Sequence, residues 1–186
     1  MSQTILTGLW GAWRLLLLDP RGLEPFDAGG VAAARASFLA LLLLLPFELL
    51  ITALFQGRFP AGWELVVFGM GYALRAVLFP LVLLGLARFW DRTALWPRAV
   101  AAYNWSMVVQ MAILLPMLML HFAGALPRHD SIHAIHLLRL VIWAYEAWVL
   151  RCALAVGFFT ACSFTVLDIV LSIGLSEWLD SLLVAA

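Results

Sequence analysis

The chain has 186 residues, of which 65% are hydrophobic and only 12% are charged, and its formal net charge at pH 7 is zero. A soluble domain is about half apolar, so too few charged side chains remain here to cover a surface that faces water, and the composition indicates an integral membrane protein. Zero net charge provides no basic surface for nucleic acid, and the absence of lysine excludes mechanisms built on a lysine Schiff base or a phosphate-loop lysine.

The first apolar segment, residues 5–18, is too short to cross a bilayer and carries Arg14 inside its apolar run. It does not resemble a secretory signal, because no positive charge precedes it and no small-residue cleavage site follows it. We expect a helix that lies in the membrane interface, with Trp10 and Trp13 in lipid and Arg14 among the head groups. Pro20 is expected to end this helix.

Five longer apolar segments follow, each able to form a helix of about 20 residues that crosses a hydrocarbon core of about 30 Å. The expected spans are residues 31–56, 63–87, 99–124, 132–155 and 158–183. One continuous helix is the alternative for the last two, since only Arg151 and a short segment, 155–157, separate them. We favour a break, because such a helix would reach about 80 Å and Gly157 suits a helix end.

The fold class expected from these segments is an all-α integral membrane protein with two parts. Residues 1–30 form the interfacial amphipathic helix and a linker, and residues 31–186 form a bundle of five transmembrane helices. Positively charged flanks stay on the cytoplasmic side, and the arginines favour one orientation. With the N-terminus inside, most of them lie at or near the cytoplasmic face: Arg14, Arg21, Arg35, Arg88, Arg92, Arg98 and Arg151. The C-terminus is then expected on the opposite side.

Arg75 lies about halfway along the second predicted span, where an arginine costs about 2.5–3.5 kcal/mol on insertion scales. Its expected partner is Asp168 in the fifth span, while Glu146 in the fourth and Gln110 in the third lie at similar depths and complete a predicted polar cluster. The fifth span turns small or polar side chains to one side at three- and four-residue steps. This stripe comprises Ala161, Thr165, Asp168, Ser172 and Ser176.

Two interpretations of the buried polar cluster compete. Its charges either cancel in pairs and hold the helices together, or they form a site that relays protons or holds an anionic group during transport. We favour the structural interpretation, because the charges are balanced in sign. Glu48 in the outer part of the first span and Arg139 in the outer part of the fourth are expected to form a second pair.

The histidines His129, His133 and His136 are a weak candidate for a metal site. Positions i, i+4 and i+7 share one helical face, and Asp130 is adjacent. A zinc site, however, needs three or four ligands held by surrounding hydrogen bonds, whereas this stretch straddles a loop and the start of a span. The sequence therefore predicts neither a metal nor a cofactor.

Three segments resemble the Yip-domain family of small five-span membrane proteins. Residues 11–38, GAWRLLLLDPRGLEPFDAGGVAAARASF, look like the N-terminal lead-in of bacterial members. Ala102-Tyr103-Asn104-Trp105 is similar to their Tyr-containing third span, and residues 148–168, WVLRCALAVGFFTACSFTVLD, look like their last helix pair and its tight turn. The resemblance implies a five-helix bundle with a cytoplasmic N-terminus and no known chemistry. Eukaryotic relatives interact with prenylated small GTPases, but this chain lacks the long polar N-terminal region of those members.

The function expected from the sequence is not enzymatic, because catalytic motifs are absent and the loops are too short to build a soluble active site. We expect a scaffold or accessory subunit that packs laterally against other membrane proteins or its own copies. The alternative is a small transporter or proton pathway that uses the buried polar cluster; a membrane-embedded enzyme ranks third. Arginine used to the exclusion of lysine suggests a GC-rich bacterial genome, so the expected location is the bacterial inner membrane.

Overall fold

The structure is a computed structural model that describes the backbone of residues 2–184 and the side chains of residues 4–183. All regular secondary structure in this range is helical. Short 3-10 turns at Pro20–Leu23 and Thr93–Leu95 precede the second and fourth α-helices. The α-helices are α1 (Ser2–Leu16), α2 (Glu24–Gln56), α3 (Trp63–Phe89), α4 (Trp96–Phe122), α5 (Arg128–Leu154) and α6 (Phe158–Val184).

Four helical stretches are long and apolar enough to cross a membrane, as is typical of a membrane protein. They are Pro20–Gln56, Trp63–Phe89, Thr93–Phe122 and Phe158–Leu183. The long apolar helices predicted in these regions are thereby confirmed. The remaining predicted span corresponds to α5, which has 27 residues but carries too many charged and polar side chains to meet the same criterion, so its crossing of the membrane stays a prediction.

The break between the fourth and fifth predicted spans is present. Ala155 ends α5 in the left-handed conformation with φ 52°, and α6 begins at Phe158. The expectation that Gly157 would end the helix was wrong by two positions, because an alanine takes the conformation that glycine usually supplies. The backbone N–H of Val156 donates to the carbonyl of Arg151 at 3.2 Å, which satisfies one of the carbonyls left free at the helix end.

The expected linker before the first span is largely helical, because α2 begins at Glu24. The Asp19 side chain accepts a hydrogen bond from the backbone N–H of Arg21 at 3.0 Å. Pro20 stands at the start of the 3-10 turn, and Pro25 stands near the start of α2. These are helix-start signals that hydropathy does not register. Gly30, with φ 48°, then interrupts α2 before its apolar part. The helix α1 ends at Leu16, a turn before Pro20.

The centre of the bundle is α4, which packs against α1, α2 and α5. Every residue from 99 to 106 in its first half is buried, and Trp105 is the largest of the fully buried side chains. Its alanines at 99, 101 and 102 allow neighbouring helices to approach closely. The indole of Trp105 lies against Gly8 of α1. Tyr103, in the same half of α4, donates a hydrogen bond to Asp168 of α6.

The helix α1 belongs to this core and is not a separate unit. Ala12 and Leu15 are fully buried, and the Tyr145 hydroxyl of α5 donates to the carbonyl oxygen of Ala12 at 2.8 Å. Trp10 and Trp13 point outward, while Arg14 pairs with Asp19 at 2.6 Å. That the exposed face of α1 lies in lipid stays a prediction. The expected division into residues 1–30 and 31–186 does not correspond to two packing units.

Two ends of the bundle are defined by contacts between helices. At one end, which we call the Arg98 end, Arg98 at the start of α4 donates to Asp27 near the start of α2 and to the carbonyl of Ala153 at the end of α5, at 2.9 and 2.6 Å. At the other, the Glu64 end, the rings of Phe55 and Phe122 meet with centroids 5.0 Å apart. Helices α2 to α6 therefore alternate in direction between the two ends.

Candidate functional site

The predicted polar cluster is divided into two neighbouring groups. Arg75 of α3 lies in a polar cleft with Glu48 of α2, and Glu146 of α5 lies beside Asp168 of α6. None of the ion pairs among the described residues includes any of these four side chains. The expected ion pair between Arg75 and Asp168 therefore does not form.

The polar cleft has a volume of about 170 Å³ and lies between α2, α3 and α6. It opens at the Glu64 end and reaches inward to Arg75, halfway along α3. Its polar lining comes from Glu48, Thr52, Gln56, Glu64, Tyr72, Arg75, Ser176 and Asp180. A polar space of this kind in the middle of apolar helices is tolerated where it holds water or a ligand.

Arg75 forms the inner end of this polar cleft. Its Nη2 donates to the Ser176 hydroxyl at 3.2 Å, and its Nε is buried without a hydrogen-bond partner. The Glu48 carboxyl lies close enough for electrostatic attraction to Arg75 without a direct contact. The Tyr72 hydroxyl donates to the carbonyl oxygen of Leu41 on α2. The guanidinium therefore lines the cleft, and its buried Nε has no hydrogen-bond partner.

At the mouth of the polar cleft the charges are mostly negative. Arg58, in the loop before α3, forms a bidentate ion pair with Glu64, and the backbone N–H of Ala61 donates to the same carboxyl at 3.2 Å. The hydrogen bonds to Glu64 raise the pKa of the Arg58 guanidinium. Asp180 of α6 adds a second carboxylate at the mouth; because Arg58 neutralises Glu64, one net negative charge remains there, and it attracts cations.

The buried carboxyl pair consists of Glu146 and Asp168, which are only 4% and 9% exposed. Asp168 Oδ2 accepts a hydrogen bond of 2.8 Å from the Tyr103 hydroxyl of α4. Thr165 lies beside Glu146, yet Oγ1 of Thr165 and Oε1 of Glu146 are both buried without a hydrogen-bond partner. Two like-charged groups thus lie together where a single ionised carboxylate is already costly.

Two small spaces adjoin the inner end of the polar cleft at Arg75, and one of them also reaches Asp168. One of about 10 Å³, roughly the volume for a single water molecule, is lined by Arg75, Asp168 and Ser172 among apolar side chains. The other, of about 20 Å³, is lined by Glu48, Arg75 and Tyr103. Arg75 borders all three spaces. Spaces that share Arg75 as a lining residue therefore follow one another from the Glu64 end to Asp168.

Gln110 does not belong to this cluster. Its Nε2 makes a long contact of 3.5 Å to the Ser106 hydroxyl on its own helix. The residue on α4 that reaches Asp168 is Tyr103, seven positions earlier and on the same side of the helix, about 10 Å away along the axis. The depth assigned to Gln110 from span boundaries was therefore wrong by about two helical turns.

The predicted pair between Glu48 and Arg139 is also wrong. Glu48 faces the polar cleft beside Arg75, whereas Arg139 is exposed on α5. The physical reason is the order of the helices, because α4 packs against both α2 and α5 and separates them. Arg139 has no ion pair in the described part of the chain.

The charges in the cluster do not balance. Glu48 and Asp168 lie near the single guanidinium of Arg75, and Glu146 lies beside Asp168, so carboxyls outnumber cations. The structural interpretation, in which opposite charges cancel in pairs, requires direct pairs that are not formed. The stripe on α6 does turn inward as its spacing predicts, since Ala161, Thr165 and Asp168 are buried.

The histidines do not assemble into one site. Nδ1 of His129 and Nδ1 of His133 are 3.0 Å apart on the exposed start of α5, but His136 does not join them. His121 instead contacts the Ser131 hydroxyl at 2.7 Å. Among the described residues, no group of three or more His, Cys, Asp or Glu side chains is arranged to hold a metal ion.

Comparison of the chain with family models, with curated proteins and with solved structures finds no match. The similarity to Yip-domain proteins therefore stays a prediction, and the function is argued from the residues. Sequence reasoning located Arg75, Glu146 and Asp168 but missed the role of Tyr103. The available signal was a tyrosine beside Asn104 in an otherwise apolar helix, since a buried phenol requires a partner for its hydroxyl.

Proposed function

We propose that this chain is a non-enzymatic integral membrane protein with five spans, α2 to α6, in the inner membrane of a bacterium. Helix α5 is about 40 Å long, sufficient to cross, and it alternates in direction with its neighbours. The N-terminus lies in the cytoplasm and the C-terminus outside, with the exposed tryptophans of α1 in the interface. Support for this orientation comes from the arginine-rich Arg98 end, where Arg14, Arg88, Arg92, Arg98 and Arg151 lie near helix termini.

Its principal function in this proposal is lateral association with another membrane protein or a second copy through α5. The observation that supports it is the unpaired Arg139. This arginine lies about 16 Å along the helix axis from Arg128, and Leu137, Leu140 and Val141 around it are all exposed. A charged side chain on a lipid-facing surface is costly, up to about 2.5–3.5 kcal/mol at the centre of a span on insertion scales. A carboxylate on a partner helix would offset this cost.

The first prediction concerns this face. Replacing Arg139 with leucine is expected to convert the protein from an assembly into single chains of 20.6 kDa. The reason is that the carboxylate on the partner helix would then have no guanidinium to pair with. Mass measurement after extraction in native-like lipid, without conventional detergent, reports the change. Arg128→Leu is the matched control, since Arg128 is exposed at the beginning of the same helix. A wild-type chain that is monomeric in lipid would refute lateral association.

A second candidate function is a pathway for a small polar solute or ion, which the polar cleft favours. The cleft has a volume of about 170 Å³, which is large enough for several water molecules. The Arg75 guanidinium lies at its inner end, and Nε of this side chain has no hydrogen-bond partner. Its acidic mouth attracts cations, and its inner end accommodates an anionic group.

The second prediction tests whether water fills the polar cleft. Ser176→Cys, in a chain with Cys152 and Cys162 changed to serine, is expected to react with a membrane-impermeant thiol reagent added from the outside. Ile173→Cys is the control, because Ile173 lies one turn away on α6 and is exposed on the apolar outer surface. A thiol in hydrocarbon does not ionise and reacts slowly. Equal rates at the two positions would contradict a hydrated cleft.

A further inference from the structure

The buried carboxyl pair presents a problem that lateral association leaves unexplained. Glu146 and Asp168 lie side by side, more than nine-tenths buried, with no cation in direct contact. Oε1 of Glu146 accepts no hydrogen bond. Polar groups buried without partners are rare in folded proteins. Such a group here, on a carboxyl that lies beside a second carboxyl, points to a small ligand that carries positive charge.

We propose that Glu146 and Asp168 share one bound proton and form the inner end of a proton route through the polar cleft. This inference deepens the second candidate function and is independent of lateral association. A proton on Glu146 makes its carboxyl a donor to Asp168, while the Tyr103 hydroxyl donates to Oδ2 of the same aspartate. The pair then holds one negative charge instead of two.

The surrounding charges fit a single proton. Arg75 of α3 is the cation that attracts Asp168, so Arg75 and the singly charged pair together are neutral. From α4 only the Tyr103 hydroxyl faces the pair, and α5 and α6 contribute the two carboxyls themselves with Thr165. Glu48 of α2 lies on the far side of Arg75 in the polar cleft.

The route for the proton is the series of connected spaces. Water in the polar cleft reaches Arg75, and the space lined by Ser172 continues from Arg75 to Asp168. A proton delivered by this water binds to a carboxylate oxygen of the pair, and it leaves along the same path when the pair is deprotonated.

Infrared spectroscopy of the protein in lipid nanodiscs tests the shared proton directly. At neutral pH the wild type is expected to show the carbonyl absorption of a protonated carboxyl. Glu146→Gln should abolish it, because the amide then donates to an ionised Asp168. The control Glu177→Gln, on the exposed side of α6, should leave it unchanged. If Glu146→Gln does not fold, Asp168→Asn provides the second variant and is expected to shift the frequency of the band.

The proposal has separate tests for the site and its route. A wild type without the band, or a band that survives unchanged in Glu146→Gln and Asp168→Asn, overturns the shared proton. Stabilisation of the wild type by sodium, relative to choline at equal ionic strength, would also overturn it in favour of a metal cation. Transfer to heavy water should shift the band quickly, and Ser172→Leu should slow this exchange several-fold. If Ser172→Leu leaves the rate of hydrogen exchange at the carboxyl pair unchanged, the route is overturned. Thiol labelling of Ser176→Cys is a separate test, because it reports whether water fills the polar cleft.

Discussion

Replacing Gly8 or Gly11 with alanine is expected to lower the free energy of unfolding by about 1–3 kcal/mol, although each change adds only one methyl group. A Cβ at Gly8 would lie 2.6 Å from Nε1 of the buried Trp105 indole. A Cβ at Gly11 would lie 2.7 Å from the backbone oxygen of Gly22. Neither neighbour can move away easily, because Trp105 is enclosed by the core and Gly22 belongs to the turn before α2.

The chain offers a matched control for this prediction. Gly69 of α3 and Gly174 of α6 are exposed helical glycines with open space where a Cβ would lie. Alanine there is expected to be neutral or to stabilise by up to about 1 kcal/mol, because it has the higher helix propensity. Unfolding in mixed micelles, followed by helical circular dichroism, measures all four variants. Equal effects at the two sets of positions would show that α1 does not pack tightly against α4 and the turn.

Several helix boundaries could be predicted from the sequence, because they depend on the hydrophobicity of neighbouring residues along the chain. A hydrophobic run long enough to span lipid has sharp limits, and α3 and α6 begin at the predicted residues 63 and 158. The break after Ala155 followed from length, since no helix of about 80 Å fits a bilayer. Residues 20–30 were misread because their helix-start signals, Asp19 and two prolines, are polar or neutral in hydropathy.

The composition of the site was partly predictable, and its geometry was not. Arg75, Glu146 and Asp168 were found because a charged residue inside an apolar span requires a partner. Which partner it meets depends on the rotation of each helix and the order of the helices around α4. The depth of a residue in the membrane gives neither the rotation nor the order of the helices. Gln110 was therefore assigned to the polar cluster in place of Tyr103, and Glu48 was paired with Arg139.

The packing of α1 against the core has a signal in the sequence. Its apolar segment is too short for a span, and its tryptophans predict that one face of the helix lies in the membrane interface. The opposite face carries Gly8, Gly11 and Ala12, a set of small residues on one side of a helix. Such a set indicates close helix packing. The structure shows this packing, with Ala12 fully buried; Trp10 and Trp13 are exposed, and their place in the interface stays a prediction.

Arg98 is expected to be the arginine whose loss most weakens the fold. It connects three helices, because Nη1 lies 2.9 Å from Asp27, Nε donates to the Ala153 carbonyl at 2.6 Å, and Nη2 donates to the Cys152 carbonyl at 3.3 Å. The last carbonyls of α5 have no partner within the helix. They also carry the negative end of its dipole, which a cation stabilises.

Arg98→Leu is therefore expected to reduce the free energy of unfolding by about 3 kcal/mol, the scale of two hydrogen bonds from a charged donor. Arg98→Lys should recover only part of this loss, because an ammonium group cannot reproduce the planar fork that serves two carbonyls and Asp27 together. Arg88→Leu is the control, since Arg88 is exposed near the end of α3 at the same end of the bundle and makes no side-chain bond in the described part of the chain. In mixed-micelle unfolding, Arg98→Leu is expected to be the least stable of the three variants, Arg98→Lys intermediate and the control the most stable. Full recovery with lysine would mean that charge alone, and not the joining of α5 to α2 and α4, accounts for the contribution of Arg98.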